Sequence, residues 1–230
     1  MIERPTPQGE EVVADAEAGV VRCSHRRVAI VGAGLDRLRA PYGDPAWCVW
    51  ALNEIWQPAF TRHWEMHPMR VQSLLDLAAL AKIQEPCYVL DLETSREFVP
   101  NPVRYPLERA LALAGRRYFT CTFAYQLALV ALEGFEEVGL WGVQLYWGTP
   151  RERLVEAACT EYWLGFLQGR GVRVTQDSDL ARQDQLYGYD YDSEVRAVNG
   201  QVADLRHVMD EMDRRRGVEH VAVRHPGLSG

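Results

Sequence analysis

Lysine is almost missing from this chain. Of 25 lysines and arginines only Lys82 is a lysine, so no lysine-held phosphate can be assigned to the stretch from Tyr118 to Trp147, which contains none. Basic surplus is missing too. The 32 acids leave a net charge of −7, which excludes a broad nucleic-acid or anionic-membrane footprint; nucleic acid is not an expected partner. No apolar run approaches the roughly 18 residues a membrane span needs, and no charged-then-apolar signal pattern opens the sequence. The expectation is a soluble, cytoplasmic protein with no membrane partner. The five cysteines are scattered, odd in number and form no CxxC pair, which favours reduced thiols over disulfides or a zinc site. Internal repeats and low-complexity tracts are absent as well.

What is present suffices for a sizeable core, with 47% hydrophobic and 25% charged residues over 230 positions. That length suits one domain with appendages. The stretch YFTCTFAYQLALVALEGFEEVGLWGVQLYW, residues 118–147, organises the rest. Thr120, Cys121 and Thr122 are short polar residues suited to a helix start. Phe123, Leu127, Val130 and Ala131 recur at helical spacing, and Gly134 is placed to end the helix. Val138 to Trp141 reads as a buried strand closed by Gly142, with Gln144 just beyond its tip. Helix start, helix, strand and polar tip residue together predict hydrogen-bonding groups along the carboxyl edge of a parallel sheet, where open α/β sheets bind ligands.

Upstream, residues 1–24 are rich in acids, Pro and Gly and read as a flexible acidic arm with one short pairing segment at Val20-Val21. Arg27 to Val31 is a compact apolar run ending in Gly32-Ala33-Gly34. Strand plus glycine turn is the first half of a nucleotide-binding βα unit, where bare backbone can approach a phosphate. The full GxGxxG fingerprint would need a small residue where Arg37 stands, and Pro41 and Pro45 stop any long crossover helix. A second apolar run, Trp47 to Leu52, ends in Asn53-Glu54. Glu54 follows Gly32 by 22 positions, near the distance at which an acid meets a ribose hydroxyl in nicotinamide enzymes. Asn53 is a candidate contact to sugar or base.

Arg62 to His67 reads as a third strand, with His63, Glu65 and His67 alternating onto one face. One strand seldom supplies a full ligand set alone, so no metal is assigned. His67, at the tip before Pro68, is the better-placed ligand contact. Met69 to Ile83 predicts an amphipathic helix packed on the sheet through Val71, Leu74, Leu75, Ala78 and Leu80. Cys87 to Leu92 predicts a fourth strand, and Leu107 to Ala114 a short helix stopped by Gly115. A long helix runs from Thr149-Pro150 to Gly169, with Glu161 beside its apolar face as a salt-bridge anchor or functional acid. A last helix, Ser193 to Arg216, carries a valine-leucine-methionine stripe whose period suits a partner helix and predicts a homodimer through residues 193–216.

These motifs resemble those of the MptE-like (DUF115) proteins. There VAIVGAG corresponds to the first glycine loop, and FTCTFAYQLALVALEGFEEVGLWGVQLYW to a small-polar helix start, helix, strand and Gly-x-Asp tip. APYGDPAWCVWALNEIW, HWEMHP, VRYPLERALALAG, YFTCT and EYWLGFLQGRGV are also similar to uncharacterised bacteriophage proteins with a Rossmann-like domain. The resemblance spans about residues 27–187. It implies a Rossmann-like α/β fold and pyrophosphoryl transfer to a hydroxymethylpterin, or, in the sialyltransferase-like branch, sugar transfer from a nucleotide donor. Gly32, Gly34, Thr120, Thr122 and Gln144 occupy the family's site positions. Gln144 replaces the usual aspartate, and an amide is a poor magnesium ligand and no general base.

The sequence thus predicts an arm (1–24), a Rossmann-like domain with an open, mostly parallel sheet and helices on both faces (25–187), and a C-terminal helix and tail (188–230). The expected ligand is a nucleotide or nucleotide-sugar, with no further cofactor, held by Gly32, Ala33, Gly34, Asn53, Glu54, Thr120, Cys121, Thr122 and Gln144. His67 and Glu161 are the acid/base candidates for glycosyl or phosphoryl transfer in a phage-type protein working in the host cytoplasm. The alternative is a binding protein on the same fold that sequesters a nucleotide or docks on a host protein without turnover.

Overall fold

The computed structural model describes residues 12–53, 59–145 and 149–176, all within one of the chain's two units, Met1–Ala181. Glu54, the stripe of residues 193–216 and the appendage 188–230 lie outside the described residues.

Part of the acidic arm is ordered by pairing. Val12–Asp15 (β1) and Val20–Arg22 (β2) form an antiparallel hairpin. Val21 anchors it in the main core, and the Arg104 backbone N–H donates to the Ala16 carbonyl at 2.8 Å.

The sheet follows from runs that are apolar on both faces, which belong in the interior of a parallel sheet. Its strands are Arg27–Val31 (β3), Trp47–Leu52 (β4), Arg62–Glu65 (β5), Cys87–Val89 (β6), Pro102–Arg104 (β7), Glu137–Trp141 (β8) and Arg173–Gln176 (β9). They lie in the order β7-β6-β5-β4-β3-β8-β9, and every neighbouring pair is parallel. Alternate residues feed two cores. Val28 and Ile30 face the cluster that holds Leu127 and Trp163; Ala29 and Val31 face the one that holds Leu80 and Leu92. Both faces are therefore covered by helices: Leu74–Leu80 (α1) and Leu92–Ser95 (α2) on one, Leu107–Ala114 (α3), Thr122–Glu133 (α4) and Ala157–Gly169 (α5) on the other. No helix among the described residues is long and apolar enough to cross a membrane.

The chain walks outward from β3 through β7, then returns to place β8 on the other side of β3. The strand order reverses there, and open α/β sheets bind ligands outside the carboxyl ends of the strands at such a switch point.

Several elements depart from expectation. The strand predicted over Cys87–Leu92 ends at Val89, and Leu92 opens α2. The long helix predicted from Thr149 is a π-helix over Glu152–Glu156 before α5 begins at Ala157. The helix predicted over Met69–Ile83 shrinks to α1, started by a reciprocal Ser73–Asp76 capping box. Its stripe does not lie on the sheet: Val71, Leu74 and Leu75 are 58%, 84% and 83% exposed, while Leu80 is buried. In β5 all four residues are buried although three are polar. Arg62 stacks 5.0 Å from the Trp50 ring and meets the Glu133 carboxylate at 2.8 Å, so its charge is compensated inside the core.

Candidate functional site

Six sheet and helix ends meet at the switch point around a cleft of about 590 Å³. The loop after β3 contributes Ala33 and Gly34, the tip of β4 Asn53, the end of β5 Met66 and His67, and the loop after β8 Gly142 and Gln144. The start of α4 contributes Thr120, Cys121 and Thr122, and the turn before α5 adds Arg151 and Glu156. Residues scattered over more than a hundred positions are thus assembled by the strand order.

The two strand-tip loops hold each other. Gly32 N–H donates to the Trp141 carbonyl at 2.8 Å, and Gly34 N–H to the Gly142 carbonyl at 2.9 Å. A Cβ on Gly32 would stand 2.4 Å from the Gly142 oxygen. Gly142 takes a φ of +69°, and its N–H is bound by the Asp36 carboxylate at 2.8 Å. Arg37, at the position the nucleotide fingerprint gives to a small residue, donates to the carbonyls of Ala33 and Gly34 and fixes the turn. The chain continues as a 3₁₀ turn, Leu35–Arg39, with no long crossover helix before β4. Gly32 is therefore glycine because another backbone lies against it. It is buried and does not line the cleft, whereas Ala33 and Gly34 do.

At α4 the N-cap is Cys121, in extended conformation and without a side-chain cap. The hydroxyl of Thr120 turns to the Val155 carbonyl at 3.2 Å, and the Cys121 thiol contacts Thr160 at 3.5 Å. These side chains tie the loop to the turn before α5 and do not cap α4 as expected. Of the first turn, Ala124 N–H donates to the Cys121 carbonyl at 3.1 Å. Thr122 and Phe123, whose N–H groups a helix start leaves without an intrahelical acceptor, line the cleft, where a partial positive charge favours an anion.

His67 stands just beyond the end of β5 and lines the cleft. Its Nδ1 lies 2.8 Å from Glu65 Oε1, which also accepts the His67 backbone N–H at 2.9 Å. The Glu65 side chain is 3% exposed and the His67 side chain 54%. A buried carboxylate thus holds His67 by its ring and by its backbone, and the ring bond selects the tautomer with the proton on Nδ1 and Nε2 as acceptor. The strand predicted over Arg62–His67 ends at Glu65, so His67 reaches Glu65 from just beyond β5, and His63, within the strand, does other work. His63 is fully buried, packs 5.6 Å from Phe60, and neither ring nitrogen has a hydrogen-bond partner. Burial pushes its pKa down to about 3, so it is neutral.

Asn53 has a φ of 45°, a left-handed conformation rare outside glycine, and its Oδ1 is buried without a partner. Asn53 thus brings a strained backbone and an unmet acceptor to the cleft lining. Glu161, the second acid/base candidate, stands in α5 and does not line the cleft; Glu156 does, paired with Arg151 at 3.3 Å. Arg151 and Glu65 are the residues sequence reasoning undervalued. Arg151 was visible only as part of a helix start. The Glu65-x-His67 spacing did put both on one face, without showing that one would orient the other.

No protein-family model and no curated protein sequence matches the chain, so the MptE-like and bacteriophage resemblance rests on its motifs alone. Among solved structures the chain aligns with the sialyltransferase CstII from Campylobacter jejuni in complex with a substrate analogue, cytidine-5'-monophosphate. The alignment has a TM-score of 0.45 at 14% identity and covers 68% of this chain and 82% of that one. An overlay this loose carries no chemistry from one chain to the other.

Proposed function

We propose that the cleft binds a nucleotide-sugar and that the protein transfers its glycosyl group to an acceptor hydroxyl, with His67 as general base. The observation that carries this reading is the Glu65–His67 pair opening into a cleft that also holds an uncapped helix start. In this scheme Nε2 of His67 takes the hydroxyl proton as the acceptor oxygen bonds to the anomeric carbon. Glu65 stabilises the imidazolium that forms. The bond to the donor phosphate breaks, and its charge falls on the N–H groups of α4 and on Arg151. Asn53 and Gln144 orient base or sugar through amide hydrogen bonds. Phosphoryl transfer, implied by the MptE-like resemblance, is the less supported chemistry. It commonly works through magnesium held by carboxylates, and among the described residues the carboxylate that lines the cleft, Glu156, is engaged by Arg151.

The test is calorimetry with a panel of nucleoside mono- and diphosphates and nucleotide-sugars, followed by release of nucleotide in the presence of mixed oligosaccharide acceptors. His67→Gln is expected to keep nucleotide affinity within about threefold while transfer drops by roughly 10²–10⁴, the usual contribution of a general base. Failure of every nucleotide to bind removes the reading. Tight binding with no turnover in any acceptor mixture would leave the sequestering or host-docking protein.

A further inference from the structure

At the opposite, amino-terminal edge of the sheet three soft donors converge. Cys48 is the second residue of β4, in register with Val28 of β3; Cys23 and His25 lie on the link between the hairpin and β3. Their ligand atoms all fall within 4.8 Å of one another. Cys23 Sγ is 2.9 Å from Cys48 Sγ and 3.5 Å from His25 Nδ1. We propose that this cluster is a zinc site, with two thiolates and one imidazole as protein ligands.

Bond lengths to tetrahedral zinc of about 2.3 Å for sulfur and 2.0–2.1 Å for nitrogen imply a sulfur–nitrogen separation of about 3.5 Å. The Cys23–His25 pair already stands at 3.5 Å. The same geometry asks about 3.8 Å between two sulfurs, so Cys23 and Cys48 would part by about 0.9 Å, a side-chain adjustment. A disulfide, which needs about 2.05 Å, would require a similar movement inward and give the imidazole no role. The third donor decides between them. The His25 backbone N–H lies 3.4 Å from Cys23 Sγ, a contact that favours the thiolate over the thiol. Charge fits as well. Two thiolates and a divalent ion sum to zero, which suits a site whose Cys48 is fully buried, whereas monovalent copper would leave a net negative charge. Cys23 and His25 also line a second cleft of about 470 Å³, beside Arg109 and Glu133. The fourth coordination position can therefore be filled by water from that side. Neither cysteine belongs to a short-spaced motif, which is why the spacing rule passed over them: strand pairing, not sequence proximity, makes the site.

The experiment loads metal-stripped, reduced full-length protein with zinc, then with cobalt, and counts bound metal by native mass spectrometry. One zinc per chain is expected, with thiolate charge-transfer absorption in the cobalt form. Affinity should fall at least 100-fold in Cys23→Ser and about 10-fold in His25→Gln, two partly exposed positions whose folding is checked by circular dichroism. Zinc should also raise the thermal unfolding midpoint of the parent and not of Cys23→Ser. No zinc bound at micromolar concentration overturns the proposal, as does equal binding by the parent and both variants. So does recovery of the unreduced protein with Cys23 and Cys48 joined, 2 Da lighter and resistant to alkylation.

Discussion

His63 in β5 and His67 just beyond it sit in opposite surroundings. His63 is neutral because burial holds its pKa at about 3, below its ordinary 6.5. The unfolded chain therefore takes up a proton first as pH falls. His63 leaves stability unaffected above about pH 6.5 and erodes it between 6.5 and 3. His63→Leu removes both the proton uptake and two unpartnered ring nitrogens. It should raise stability at pH 7 by about 1 kcal/mol and flatten the acid side of a urea-denaturation profile; an unchanged slope between pH 6 and 4 would refute the assignment. His67 has the opposite surroundings, with one nitrogen on a carboxylate and the other toward solvent. Glu65→Gln keeps an acceptor for Nδ1 but removes the charge that stabilises an imidazolium. Transfer should fall roughly 10- to 100-fold with little change in nucleotide affinity, a split that loss of packing alone would not produce.

Elements differ in how much of their placement the sequence carries. β3, β4 and β8 were legible because a run that is apolar on both faces has nowhere to go but the middle of a parallel sheet. The ends of α3 and α4 were legible because Gly115 and Gly134 take the left-handed conformation that stops a helix, with φ of 65° and 73°. Most cleft residues followed from those ends, since whatever comes after a buried strand stands at its tip. What was hidden depends on contacts between distant segments. The stripe of α1 satisfies a helical period, yet Leu74 and Leu75 face out. The glycine turn after β3 has the composition of a phosphate loop, yet Gly32 packs on the loop after β8. Comparing two left-handed glycines measures that packing. Gly134 has open space around its missing Cβ, so Gly134→Ala should cost about 1 kcal/mol, the conformational term alone. At Gly142 the Cβ would lie 2.7 Å from the Gly32 carbonyl. Gly142→Ala should cost at least 2 kcal/mol more in urea denaturation, or fail to yield folded protein. Equal costs would mean the two loops are not locked together.

For the molecule as a whole, one sheet presents two different chemistries at its two edges. Its carboxyl edge offers an uncapped helix start, a carboxylate-held imidazole and amide side chains; its amino edge offers thiols and an imidazole. The strands between are short and rigid. From Cys48 to Asn53, β4 advances about 16 Å at about 3.3 Å per residue, and its residues are packed on both faces. Sites so separated, joined by a strand buried on both faces, should act additively. Removing zinc with a chelator should therefore lower the thermal midpoint and loosen amide-exchange protection in the hairpin β1–β2. It should leave nucleotide affinity in the strand-tip cleft within about twofold. The proposed mode of binding points the same way, since in it the helix start and Arg151 would meet a phosphate without an intervening cation. Calorimetric titration of one nucleotide in magnesium, in chelator and in chelator followed by zinc separates the possibilities. A tenfold loss of affinity restored by magnesium would mean that the phosphate is held through a metal and that the charge assignment of the cleft is wrong. A loss restored by zinc alone would mean that the two edges are coupled through the sheet and that the independence argued from its rigidity fails.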